Sequence, residues 1–195
     1  MKEIDNIESI RSTLEFNNFG EFYYISIMQR AKDGHKNISS HESCRRIRSL
    51  YIFSLKEFDD YTPFIKEICT KLNARAYIEM NRKDIFKCQL ECINRLSQCI
   101  QHQTTKSRAI MDSVVAGAPS RDKLWLIDVD DTNIGDSEIN DIINYVKKRG
   151  KYYTAVPTVS GVHIITGRFD TRDWAFKNAE IKRNAFTLLY YNNEE

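Results

Sequence analysis

Apolar and polar positions follow two different periods along this chain, and the switches between them outline its elements. Residues 21–31 (EFYYISIMQRA), 45–54 (RRIRSLYIFS) and 74–81 (ARAYIEMN) are rich in β-branched and aromatic residues and read as strands. The first two are separated by KDGHKNISSHES, a Gly-, Ser- and Asn-rich connection expected to turn the chain into a hairpin. Residues 4–14, 55–72 and 83–102 carry apolar positions at helical spacing. Residues 104–122 read as a short helix and then a Gly-Ala-Pro loop, which marks the expected boundary between two units, 1–118 and 119–195.

The second unit is more orderly. A strand over 123–130 leads to a helix over 136–149, with Asp136 or Ser137 as N-cap and Gly150 at its end. Strands over 152–158 and 162–167 follow, joined by a tight turn at Val159-Ser160-Gly161. A helix through Trp174 and a last strand ending FTLLYY complete the series. The order strand, helix, strand, strand, helix, strand is the split βαβ, ferredoxin-like or RRM-like arrangement. The expected fold class is therefore α/β (α+β): an N-terminal mixed αβ module packed on a ferredoxin-like sheet with one open face.

Composition changes this picture little. The chain has 195 residues, 42% hydrophobic and 29% charged, with a formal net charge of +2. A generic polycation is thereby excluded, so contact with nucleic acid must come from local basic clusters. No apolar run approaches the ~20 residues of a membrane span, and MKEIDNIESIRS lacks the apolar centre of a signal peptide, so cytoplasmic residence is expected. Five cysteines without a CxxC pair point to reduced thiols, and Cys88, Cys92 and Cys99 fall at the spacing of a buried helix stripe.

The chemistry concentrates in LWLIDVDD, residues 124–131. Alternation sets Asp128 and Asp130 on the face of Leu124 and Leu126, opposite Trp125, Ile127 and Val129. Two carboxylates ~7 Å apart at the Cα level can hold one hard divalent cation between them. An acidic pair at a strand end is as often plain solvated turn chemistry. Downstream, Ser160-Gly161-Val162-His163 puts a hydroxyl and an imidazole just past a turn, suited to donating to phosphate oxygens. A lone strand histidine is otherwise commonly structural. Arg75, Tyr77, Glu79 and Asn81 share one polar strand face that lines a cleft or meets water. Arg45, Arg46, Arg48, Arg82, Lys83, Lys106 and Arg108 are available to phosphates or are solvated surface charges.

Together, LIDVDD and SGVH resemble the first two motifs of the archaeo-eukaryotic primase superfamily, the primase-polymerases (AEP). The resemblance covers residues 123–191 and is sharp only at those two segments. It implies a metal-dependent nucleotidyltransferase that makes or extends DNA or RNA primers in DNA replication. Asp128 and Asp130 would bind two Mg2+ or Mn2+ ions. His163 and Ser160 would hold the triphosphate, with Arg82 and Arg108 as further nucleotide contacts. The expected partners are nucleoside triphosphates, DNA or RNA, and a helicase or other replication protein, with no membrane. The chain departs from the pattern at the third motif, since FTLLYY carries no acid. Glu180 is the candidate third metal-binding residue, and Asp170 reads better as a helix cap.

Two alternatives stand beside this one. The shape is equally suited to a catalytically inactive AEP-like module that binds nucleic acid or protein. LIDVDDTN also resembles the opening motif of haloacid-dehalogenase phosphatases, an apolar strand ending Asp-x-Asp-x-Thr. Too few residues follow Asp131 for the doubly wound core that such a phosphatase needs.

Overall fold

A computed structural model of the chain describes residues 2–35, 38, 42–102, 110–120, 122–130 and 135–193. In chain order its elements are β1 (Lys2–Asp5), α1 (Ile7–Arg11), β2 (Glu21–Arg30), β3 (Cys44–Ile52), α2 (Leu55–Leu72), β4 (Arg75–Asp84), α3 (Ile85–Gln101) and α4 (Ile110–Gly117). They continue with β5 (Trp125–Val129), α5 (Asp136–Arg149), β6 (Tyr152–Pro157), β7 (Val162–Thr166), β8 (Ala179–Lys182) and β9 (Phe186–Asn193). The strands form two antiparallel sheets, β1-β9-β4-β2-β3 and β6-β7-β5-β8. The fold is thus mixed α/β.

Strand β2 explains the first sheet. Its apolar run is nearly continuous because both faces are covered. Tyr23, Ile25 and Ile27 share a core with Phe58, Ile65 and Cys69 of α2, while Phe22 and Tyr24 pack against Cys88 of α3 and Val114 and Val115 of α4. Helix α2 starts where the Ser54 side chain accepts the Glu57 amide at 3.1 Å. Helix α3 starts later than the periodicity predicts. Asp84 stays in β4 and caps the helix, accepting from the amides of Phe86 at 3.0 Å and Lys87 at 3.2 Å. Beneath this corner Gly20 has φ +83°, and a Cβ there would meet Phe86 at 2.5 Å, so only glycine fits.

Three expectations fail in the second unit. No helix forms through Trp174: residues 167–178 are turns and irregular chain. Phe169, Trp174 and Phe176, whose spacing fits no helical stripe, instead gather as an aromatic cluster around Tyr145 of α5. The last strand does not close the second sheet either. β9 inserts between β1 and β4 in the first, where FTLLYY can be buried on both faces, and the short β8 takes the fourth place beside β5. The boundary at 118/119 therefore divides the sequence but not the sheets. Finally, the sheet face bearing Asp128 is not open. Leu126, Val156 and Ile165 from it enter the core of Ile25, Ile78 and Leu189 from the first sheet.

Two buried asparagines lock the sheets together. Asn81 donates to Leu124 O at 3.1 Å and accepts from Leu124 N at 2.8 Å, holding the start of β5. Asn6 donates to Pro157 O and Leu188 O, both at 2.9 Å. Each satisfies backbone groups that would otherwise be buried unpaired. Among the described residues no helix is long and apolar enough to cross a membrane.

Candidate functional site

Because the inter-sheet core fills only part of the β5 face, the end of that strand opens into a cleft. Its volume is about 340 Å3, and Asp128, Asp130, Ser160 and His163 all line it. The two segments singled out in the sequence, some thirty residues apart, therefore do meet. The meeting is a matter of register: Asp128 pairs directly with His163 on β7 and with Glu180 on β8, so the three side chains project from one face.

Asp128 is 6% exposed, and its carboxylate is held from two sides. Lys182 Nζ donates to Oδ2. His163 Nε2 approaches Oδ1 at 3.2 Å. That approach lacks hydrogen-bond geometry, so Oδ1 is a buried oxygen without a hydrogen-bond partner among the described residues. Burial pushes the carboxyl up, but His163 and Lys182 outweigh it and hold Asp128 down at about 2. Lys182 responds in the opposite sense: burial works to lower its pKa, and Asp128 raises it by more. The His163 ring is fixed from behind, with Nδ1 and Thr187 Oγ1 of β9 at 2.9 Å. A proton on Nε2, facing the carboxylate, leaves Nδ1 to accept from the Thr187 hydroxyl in the neutral ring; this tautomer is assigned from the partners. Asp130, just past β5, accepts from Ser160 Oγ at 2.9 Å.

The opposite wall comes from the first sheet. Arg75 and Tyr77 of the polar β4 face do line the cleft, with Arg30 and Lys32 beside them. Arg30 donates to the Tyr77 hydroxyl at 3.2 Å. Burial lowers the pKa of Lys32, and the nearby Arg30 and Arg75 guanidinium groups lower it further. The cleft thus sets a basic rim against an acidic one.

Glu180 stands on β8 opposite Asp128, with 74% of its side chain exposed and 3.7 Å from Lys182. A second cavity, about 460 Å3, is lined by Asp128, Asp130 and Glu180 together with Lys177, Asn178 and Ala179. The three carboxylates therefore share one space. In their present rotamers no group of three or more His, Cys, Asp or Glu among the described residues is close enough to hold a metal ion. The donor chemistry still suits a hard cation: three carboxylates on one face, one of them presenting a buried unpartnered oxygen.

One nominated residue stands away from this cleft. Arg82 lies beyond the β4–β9 pairing, where its Nε meets Asp122 at 2.7 Å and its Nη1 meets Glu21 at 3.2 Å. It lines a separate cavity of about 40 Å3. Its guanidinium is committed to the fold, which corrects its assignment as a nucleotide contact. Arg108 lies outside the described residues, as do Lys106 and Asp131. Asp170 is also elsewhere, capping a turn through Arg172.

Lys182 and Thr187 are the site residues that inspection of the chain passes over. A signal for Lys182 exists in AEIK, where alternation pairs it with Glu180, but no strand was expected there. No signal marks Thr187, since it enters the site from the other sheet. Compared with protein-family profiles, with curated proteins and with solved structures, the chain has no significant match.

Proposed function

We propose that this chain is a metal-dependent nucleotidyltransferase of the primase-polymerase kind, acting on nucleoside triphosphates and a DNA or RNA strand. The observation that carries the reading is the shared cleft of Asp128, Asp130, Ser160 and His163, with Glu180 across from Asp128. Asp128 and Asp130 would hold Mg2+ or Mn2+, and Glu180 would supply the third carboxylate. Such ions, when bound, activate an attacking hydroxyl and neutralise a departing pyrophosphate. The protein's own groups do the rest. His163, held by Thr187 at Nδ1, offers Nε2–H to a phosphate oxygen, and Ser160 offers its hydroxyl. Lys182, 40% exposed on a flexible stem, can leave Asp128 and turn its ammonium to the same phosphates. Arg30 and Lys32 add positive charge on the facing wall, where a triphosphate or strand backbone would lie.

One observation favours a second reading, an inactive AEP-like module that binds nucleic acid or protein. With the Lys182 ammonium on Oδ2, Asp128 already has a counter-charge without any metal. The two readings separate experimentally. In an assay of labelled nucleotide incorporation with Mn2+, Asp128→Asn combined with Asp130→Asn should lower activity at least about 100-fold, a barrier change of roughly 3 kcal/mol. It should also abolish the rise in melting temperature that Mn2+ gives the unaltered protein. Incorporation unchanged in the double variant rejects the catalytic reading. No incorporation and no Mn2+-dependent shift in the unaltered protein favours the binding module.

A further inference from the structure

Helix α3 carries a feature unrelated to the cleft. Its inner side, Cys88 with Cys92 and Cys99, packs on α4. Its outer side leaves Phe86 54%, Leu90 62%, Ile93 62%, Leu96 42% and Ile100 78% exposed. These positions fall on one face of the helix, with only Gln89 and Ser97 between them and no charged residue. The helix's charges lie elsewhere: Arg95 turns toward α4, pairing with Glu91 at 2.8 Å and donating to Ser113 at 2.9 Å.

The seam is also a palindrome in space. Phe86 and Ile100 stand seven residues either side of Ile93, Leu90 and Leu96 three either side, Gln89 and Ser97 four. A two-fold axis at Ile93 would bring Phe86 onto Ile100 of the partner subunit, and Leu90 onto Leu96 of the partner subunit. Gln89 would meet Ser97 of the partner subunit, the one polar pair in the seam. Such self-complementarity is what an isologous contact requires. Phe19, 95% exposed and 5.8 Å from the Phe86 ring, widens the patch at one end. Taking ~200 Å2 for a large apolar side chain, these six residues expose roughly 800 Å2. That exceeds the largest patch usual on a monomer, about 300–600 Å2, and matches the ~800 Å2 per partner of a standard stable interface.

We infer that α3 docks antiparallel on α3 of a second copy of this chain, forming a two-fold dimer centred on Ile93. The proposal does not rest on the nucleotidyltransferase reading. Analytical ultracentrifugation of the full chain over about 1–100 μM tests it, a range chosen to bracket a stable interface of this area. The unaltered protein should sediment as a dimer. Ile93→Glu would set two carboxylates at the axis and should weaken association at least about 100-fold while leaving the circular dichroism spectrum unchanged. Leu90→Lys and Leu96→Glu should each weaken the dimer. Their combination should restore it, because the two positions face each other only in an antiparallel pair. A monomer at every concentration, a dimer indifferent to Ile93→Glu, or a double variant that stays dissociated would each overturn the inference.

Discussion

Two ion pairs face each other across the cleft, and they differ in kind. On the first-sheet wall, Arg75 and Asp33 are both 5% exposed. The guanidinium makes two bonds, Nε to Oδ2 at 2.8 Å and Nη2 to Oδ1, and lies 4.7 Å over the Tyr191 ring. On the second-sheet wall, Lys182 meets Asp128 through a single ammonium, with 40% of the lysine side chain still exposed against 7% of the aspartate. A planar fork locked into a buried carboxylate has nowhere else to go, whereas an ammonium on a four-carbon stem can exchange its carboxylate for water or phosphate. The first pair frames the cleft. The second is the one a ligand can open.

This contrast is sharpest under mutation. Arg75→Ala leaves Asp33 buried without its cation and should cost about 3–5 kcal/mol in urea unfolding. A loss below about 1 kcal/mol would show that the frame lies elsewhere. A smaller effect is expected from acid. Asp128 has an ordinary carboxyl value of 3.8 and a folded value held down at about 2. Its ionised form therefore favours the fold above about pH 4, and that contribution disappears as pH falls toward 2. Melting temperature should drop more steeply across that interval in the unaltered protein than in Asp128→Asn. Equal slopes would mean that the pair contributes nothing to stability. The smallest change belongs to Glu180→Gln. With its side chain 74% exposed, stability should stay within about 0.5 kcal/mol, while the Mn2+-dependent rise in melting temperature shrinks. A Mn2+ response identical to that of the unaltered protein removes Glu180 from the metal site.

Much of the site was readable before any coordinates. The alternation of LWLIDVDD correctly set Asp128 with Leu126 and against Ile127 and Val129, because a half-buried strand leaves its period in the sequence. The β4 alternation likewise anticipated that Arg75 and Tyr77 share a face, and both now line the cleft. The short turn before His163 carried its own signal, with the Thr158 amide bonded to Gly161 O at 2.8 Å. Arg82 misled because a basic residue at a strand end looks the same whether it faces phosphate or Asp122. Glu180 was picked out without its strand, because the aromatic cluster of residues 169–176 supplies no periodicity and nothing announced that a strand follows it.

What the chain decides locally is the identity of its strands and helices and which residues share a face, since those depend on neighbours a few positions away. Which strand sits beside which is another matter. FTLLYY is apolar enough for the centre of either sheet, and only the competition between two cores places β9 with β1 and β4. That choice brings Thr187 behind His163 and leaves β8, with Glu180 and Lys182, at the edge beside Asp128. The carboxylates were written in one short motif. Their counter-ions come from strands whose pairing is set by burial over long range, and no local pattern records it.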